Sequence, residues 1–173
     1  MESNLIFEIL AYTIPALITG LIAYYFFKLH NDNEEKRRRY LLQKEYRKDV
    51  LPLRLQAYER MALFLERIHP AKLLIRITPY NEDKNDYERL LIHHIEQEFD
   101  HNLAQQIYIS DECWTVINTA KSTTIHNIRK ANMSQKVDSA NKLREVILSD
   151  LLDKQAPSQT ALSYVKNEVM ELF

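Results

Sequence analysis

Glycine is almost missing: the 173 residues hold one, Gly20. Glycine-rich phosphate loops, dinucleotide fingerprints, nucleophile elbows and tight two-residue hairpins each need several. P-loop and Rossmann nucleotide enzymes are therefore excluded, and most β-rich folds are disfavoured. Cysteine is equally scarce, and the lone Cys113 rules out an internal disulfide and a multi-cysteine zinc site. An excess of one charge is lacking too. With 23 Lys and Arg against 24 Asp and Glu, the formal net charge is -1, which gives no basis for general nucleic-acid binding. The class that remains is all-α.

What the chain does have is a long gap between charges. Residues 9–27, ILAYTIPALITGLIAYYFF, contain no Asp, Glu, Lys, Arg or His. A helix of that length reaches roughly 28 Å, close to the hydrocarbon thickness of a bilayer. Tyr24, Tyr25, Phe26 and Phe27 suit an aromatic belt, and Pro15 and Gly20 are tolerated in membrane helices. A secretory signal would open with basic residues and end at a small-residue cleavage site. Here the start is Met1, Glu2, Ser3 and Asn4, and the far end is bulky and aromatic. No Lys or Arg precedes the run, whereas Lys28, Lys36, Arg37, Arg38, Arg39, Lys44, Arg47 and Lys48 follow it. The positive-inside rule then predicts a single pass through the inner membrane, with the N-terminus outside and the C-terminal portion cytoplasmic. A reduced Cys113 fits that compartment.

The expected organisation is a transmembrane anchor over residues 1–28, a charged juxtamembrane helix or linker over 29–50, and a cytoplasmic bundle of about five helices over 51–173. Pro52 suits the first turn of a new helix, LPLRLQAYERMALFLERIH, with Leu55, Tyr58, Ala62, Leu65 and Ile68 on one face, widened by Met61 and Phe64. Pro70 stops it. The following AKLLIRI reads as one or two helical turns or as a stray strand, and TPYNEDKN as a polar turn. A helix is expected from residue 86 to about 106, with Tyr87, Leu90, Leu91, Ile95, Phe99 and Leu103 inward. Ser110 should cap a helix from 111 to about 131, with Trp114, Ile117, Thr124, Ile125 and Ile128 inward. Ser134 should cap the next, to about 154, and Pro157 with Ser158 should open the last, 159–172.

Catalytic signals are weak. Glu-x-x-His occurs twice, as Glu66 with His69 and Glu98 with His101, which is a spacing used by di-iron helical bundles. These four are the candidate metal ligands. His69, however, precedes Pro70 at a helix end, and the two motifs lie too close in sequence for a complete four-helix site. Cys113 sits in a predicted first helical turn, where a thiol pKa falls, but Asp111 and Glu112 oppose that and Trp114 points to burial. No catalytic residue and no cofactor is expected. The run Lys36, Arg37, Arg38 and Arg39 could meet anionic lipid headgroups, although Asp32, Glu34 and Glu35 weaken it.

Residues 51–76, LPLRLQAYERMALFLERIHPAKLLIR, with the membrane segment before them, resemble an uncharacterised Bacteroidota family of short single-span membrane proteins. The resemblance implies a helical cytoplasmic domain on an N-terminal anchor and carries over no catalytic or binding residue. The peripheral-stalk b subunit of ATP synthases has a similar plan, but Pro52, Pro70, Pro79 and Pro157 interrupt the long helix a stalk requires. The expected function is a non-catalytic scaffold that holds a membrane or cytoplasmic protein complex, or a second copy of itself, at the membrane, with lipids as further partners and no nucleic acid. Arg54, Arg60 and Arg67, with Met170 and Phe173 at the apolar chain end, are the candidate partner contacts. The alternatives are a metal-binding bundle and a lipid-responsive sensor.

Overall fold

The computed structural model describes the backbone of residues 2–172; the side chains of residues 1–12, 16, 46, 47, 152, 153 and 173 lie outside the described residues. Six α-helices follow one another: α1 (Glu2–Arg67), α2 (Pro70–Arg76), α3 (Lys84–Asp100), α4 (Asp111–Asn132), α5 (Ala140–Asp153) and α6 (Pro157–Met170), with a 3-10 turn at Leu103–Ile107 before α4. No strand occurs among the described residues, so the all-α expectation holds. The chain divides into two compact units, Met1–Val50 and Leu51–Phe173.

In the first unit every described side chain over residues 13–49 is exposed. Thr19 Oγ1 donates to the Pro15 carbonyl at 2.6 Å. Among the described residues no helix is long and apolar enough to cross a membrane. The transmembrane helix expected over residues 1–28 therefore has no support there; residues 9–12 and 16 of its charge-free run lie outside the described side chains.

The second unit holds the core. Ala57, Tyr58, Met61, Phe64, Leu65 and Ile68 form one stripe at three- and four-residue spacing, all of them buried. That stripe meets Leu73 and Leu74 of α2, Tyr87, Leu91, Ile95 and Phe99 of α3, Cys113, Ile117 and Ile128 of α4, Ala140, Leu143 and Ile147 of α5, and Ala161 and Val165 of α6 in one cluster. Helix α4 packs against α6, α3 and α5, and α5 also packs against α2 and α3.

Side chains set the helix starts. Asp83 accepts from the Asn85 amide at 2.7 Å, Ser110 from the Cys113 amide at 3.0 Å, and Ser139 from the Lys142 amide at 3.3 Å. Pro70 and Pro157 open α2 and α6, where a missing N–H costs nothing. Lys84 Nζ closes the far end of α4 by donating to the carbonyls of Asn132 at 3.1 Å and Val137 at 2.8 Å.

Several expectations need correction. Pro52 does not open a helix; it lies inside α1 with its ring exposed. Only the bond to the carbonyl of Lys48 is forfeited there, and the buried stripe that starts at Ala57 supports the helix beyond it. The helix over 86–106 ends at Asp100, so Leu103 falls in the 3-10 turn and is exposed rather than inward. The cap of α5 is Ser139, because Ser134 instead belongs to the turn after α4, where its carbonyl accepts from the Val137 amide at 3.1 Å. The segment left open between helix and strand is the helix α2.

Candidate functional site

Two polar clusters tie the second unit together. In the first, the end of α6 brings Glu168 against α1. Tyr58 Oη donates to Glu168 Oε1 at 2.7 Å, and Arg54 donates to Tyr58 Oη at 3.2 Å and to the Tyr108 carbonyl at 3.0 Å. Glu168 Oε2 is buried and makes no hydrogen bond of ordinary geometry, although Ser110 and the Cys113 thiol stand close by. Burial alone would raise the Glu168 carboxyl. Tyr58, the Ser110 hydroxyl, Cys113 and the Ser110 amide outweigh it and hold the group below its ordinary value.

The partners shift the other way. Burial, and then the bond to Glu168, push Tyr58 up to about 12, against the opposing pull of Arg54. The same two causes push Cys113 up to about 12. Near neutral pH the thiol is therefore protonated. Chemically, this cluster is a charged clasp joining α1, α4 and α6.

Glu168→Gln should therefore destabilise the fold by about 1–3 kcal/mol at pH 7, by weakening a bond to a charged acceptor in a partly buried place. The carboxyl is depressed in the folded state. Its contribution is present above the unfolded glutamate value and is lost as pH falls below about 4. The gap between wild type and Glu168→Gln, read by urea denaturation, should accordingly close on acidification. A gap that is the same at pH 7 and pH 3 contradicts the clasp.

The second cluster concerns the candidate metal ligands. Arg67 Nη1 donates to both oxygens of Glu98, at 2.9 and 2.8 Å, and Arg76 Nη1 adds a contact at 3.0 Å. Glu66 pairs with Lys72. His101 is exposed just past α3, where it caps the helix end. Two cations thus occupy the Glu98 carboxylate. Among the described residues no group of three or more His, Cys, Asp or Glu could hold a metal ion.

The candidate contact residues separate by environment. Arg54 is spent on Tyr58 and Tyr108, and Arg67 on Glu98. Arg60 is exposed, Met170 is 69% exposed, and Phe173 lies outside the described residues. In the basic run, all four of Lys36, Arg37, Arg38 and Arg39 are exposed. Arg37 sits 3.5 Å from Glu34 and Arg39 3.6 Å from Glu35, so half of that positive charge is answered within the helix.

Residues 4–172 match a family described as a family of unknown function (DUF7935). The chain belongs to that family. The match takes in both compact units of this DUF7935 protein. No curated protein and no solved structure matches it.

Sequence reasoning missed three features of the DUF7935 chain. Glu98 lies three residues after Ile95, and Glu168 three after Val165, so each carboxylate shares a helix face with core residues. An acidic residue on an apolar face calls for a buried cation or donor, and that was the available signal. The third is a cavity of about 340 Å³ lined by Glu66, His69, Lys72, Ser158 and Lys166 among others. Its walls come from positions about ninety residues apart, and no local pattern marks it.

Proposed function

We propose that this protein is a non-catalytic scaffold, held at the inner membrane by the start of α1, whose helical unit over residues 51–173 docks a protein partner or a second copy of itself. One observation carries the reading. Ten large apolar side chains between Ile14 and Leu29 are 47–71% exposed. They do not form a single stripe: at about 100° per residue, the consecutive Tyr24, Tyr25, Phe26 and Phe27 point in all directions around the helix. A helix that is apolar all round calls for lipid or a surrounding protein, whereas a one-sided stripe would call for one helix partner. The charge-free run over residues 9–27 and the basic residues after it favour lipid, with the unit over 51–173 on the cytoplasmic side.

Tethering confines the helical unit and its partner to one surface and raises their effective concentration without new contacts. Arg60 and Met170 are the candidate residues left free for a partner, since Arg54 and Arg67 are engaged internally. The test is purification of the full chain from its native membrane in mild detergent, followed by mass photometry and mass spectrometry. A stoichiometric partner or a defined homo-oligomer is expected, lost in an Arg60→Glu, Met170→Glu double variant. A monomer alone at every salt concentration contradicts the scaffold reading.

A further inference from the structure

Residues 34–49 belong to the first compact unit and lie in α1, where their described side chains are all exposed. Their charges are sorted around the helix axis. At about 100° per residue, Lys36, Arg37, Lys44 and Lys48 fall within one arc of about 120°, with Tyr40 among them and no carboxylate. Glu34, Glu35, Glu45 and Asp49 fall within an arc of about 100°, centred about 150° away, with Leu42 and a single cation, Arg38, among them. The helix answers little of this charge itself. Arg37 is 3.5 Å from Glu34 and Arg39 is 3.6 Å from Glu35, whereas Lys36, Lys44, Lys48, Glu45 and Asp49 make no ion pair among the described residues.

The two sides are also level with each other. Glu35 and Lys36, Lys44 and Glu45, and Lys48 and Asp49 are neighbours in the chain, so each pair differs by only about 1.5 Å along the axis. Sequence neighbours point in different directions and cannot pair on one helix. They pair readily between two parallel helices set side by side without stagger, where each lysine of one helix meets a carboxylate of the other. In that register Tyr40, 65% exposed, meets Leu42, 61% exposed, midway between the ion pairs.

We propose that residues 34–49 pack against the same segment of a second copy, parallel and in register, with the basic side of one helix on the acidic side of the next. The parallel orientation rests on the membrane tether proposed above, since chains inserted the same way run in the same direction. Each copy spends one side and keeps the other free, so the contact is heterologous and copies add in a ring or a row. Exposed ion pairs are individually weak, and confinement to one bilayer lets several act together. In dilute detergent this contact should be lost.

The test is energy transfer between donor-labelled and acceptor-labelled full chains reconstituted in phosphatidylcholine vesicles. Wild type should show transfer above random encounter, falling to that level in high salt. A Lys36→Glu, Lys44→Glu, Lys48→Glu variant should lose the transfer when reconstituted alone, and so should a Glu45→Lys, Asp49→Lys variant. Mixed together, the two should regain it, because the mixture restores opposite charges across the contact; misfolding cannot produce that recovery. Arg60→Glu with Met170→Glu, which disables docking by the unit over 51–173, should leave the transfer in place. Transfer that survives both charge reversals, that the mixture fails to restore, or that is lost in the Arg60→Glu, Met170→Glu variant overturns the proposal. A reversal that matters only when phosphatidylglycerol is present assigns the basic side to lipid headgroups and overturns it too. Wild type that floats with the vesicles without transfer overturns this contact and leaves the tether standing, whereas a chain that does not float removes both.

Discussion

Phe64→Ala is expected to lower the unfolding free energy of the 51–173 unit by about 3–5 kcal/mol. Phe64 is 1% exposed, and its ring lies 5.6 Å from that of Phe99. Phe99 in turn stacks on Trp114 at 5.1 Å, and Lys121 Nζ lies over the Phe99 ring, 3.8 Å from its centre. Three helices, α1, α3 and α4, meet through these rings. Truncation removes the transfer free energy of a whole ring and leaves a void that rigid helices on every side close only in part. Leu63, one position earlier, is 57% exposed, so Leu63→Ala should stay within about 0.5 kcal/mol. Urea denaturation of both variants, followed by circular dichroism, checks the pair. Equal costs at the two positions would contradict the stripe that places Phe64 inside.

That contrast was readable in the sequence because periodicity is local. The three- and four-residue spacing through Tyr58, Phe64, Leu65 and Ile68 identified the inward face, and Ser110 before an apolar-periodic segment identified the start of α4. Proline was read less well. A proline at the first turn and a proline inside a helix look alike over a few residues; what decides is tertiary packing further along. Pro70 and Pro157 open helices, whereas Pro52 lies within one. The argument against a stalk-like long helix loses Pro52 but keeps the breaks at Pro70 and Pro157.

The polar clusters were hidden for a different reason. Tyr58 and Glu168 are 110 positions apart, and Arg67 and Glu98 are 31 apart. Spacing within one helix suggested that Glu66, His69, Glu98 and His101 share a metal-ligand pattern. The fold instead sends Lys72 to Glu66, and Arg67 with Arg76 to Glu98. A carboxylate already answered by two guanidinium groups has little left to offer a cation. The motif was real as spacing, and long-range pairing changed its meaning.

The second large effect concerns the start of α1. Leu17 and Leu21 are each 66% exposed and lie near the middle of the charge-free run. If that run crosses a bilayer, each arginine placed there costs about 2.5–3.5 kcal/mol, and the two together about 5–7 kcal/mol. An apolar segment that merely rests on a protein surface would lose far less, since an arginine at an exposed edge can turn its head to water. Leu63→Arg is the matched control, with an exposed leucine in the same helix but in the other unit. It should leave membrane retention unchanged.

The measurement that tests the tether most directly is flotation of native membranes on a density gradient after an alkaline carbonate wash. The wild-type chain and Leu63→Arg should float with the lipid, and Leu17→Arg with Leu21→Arg should remain in the soluble load. A wild-type chain stripped off by carbonate, or a double arginine variant that floats as well as wild type, would contradict the membrane tether.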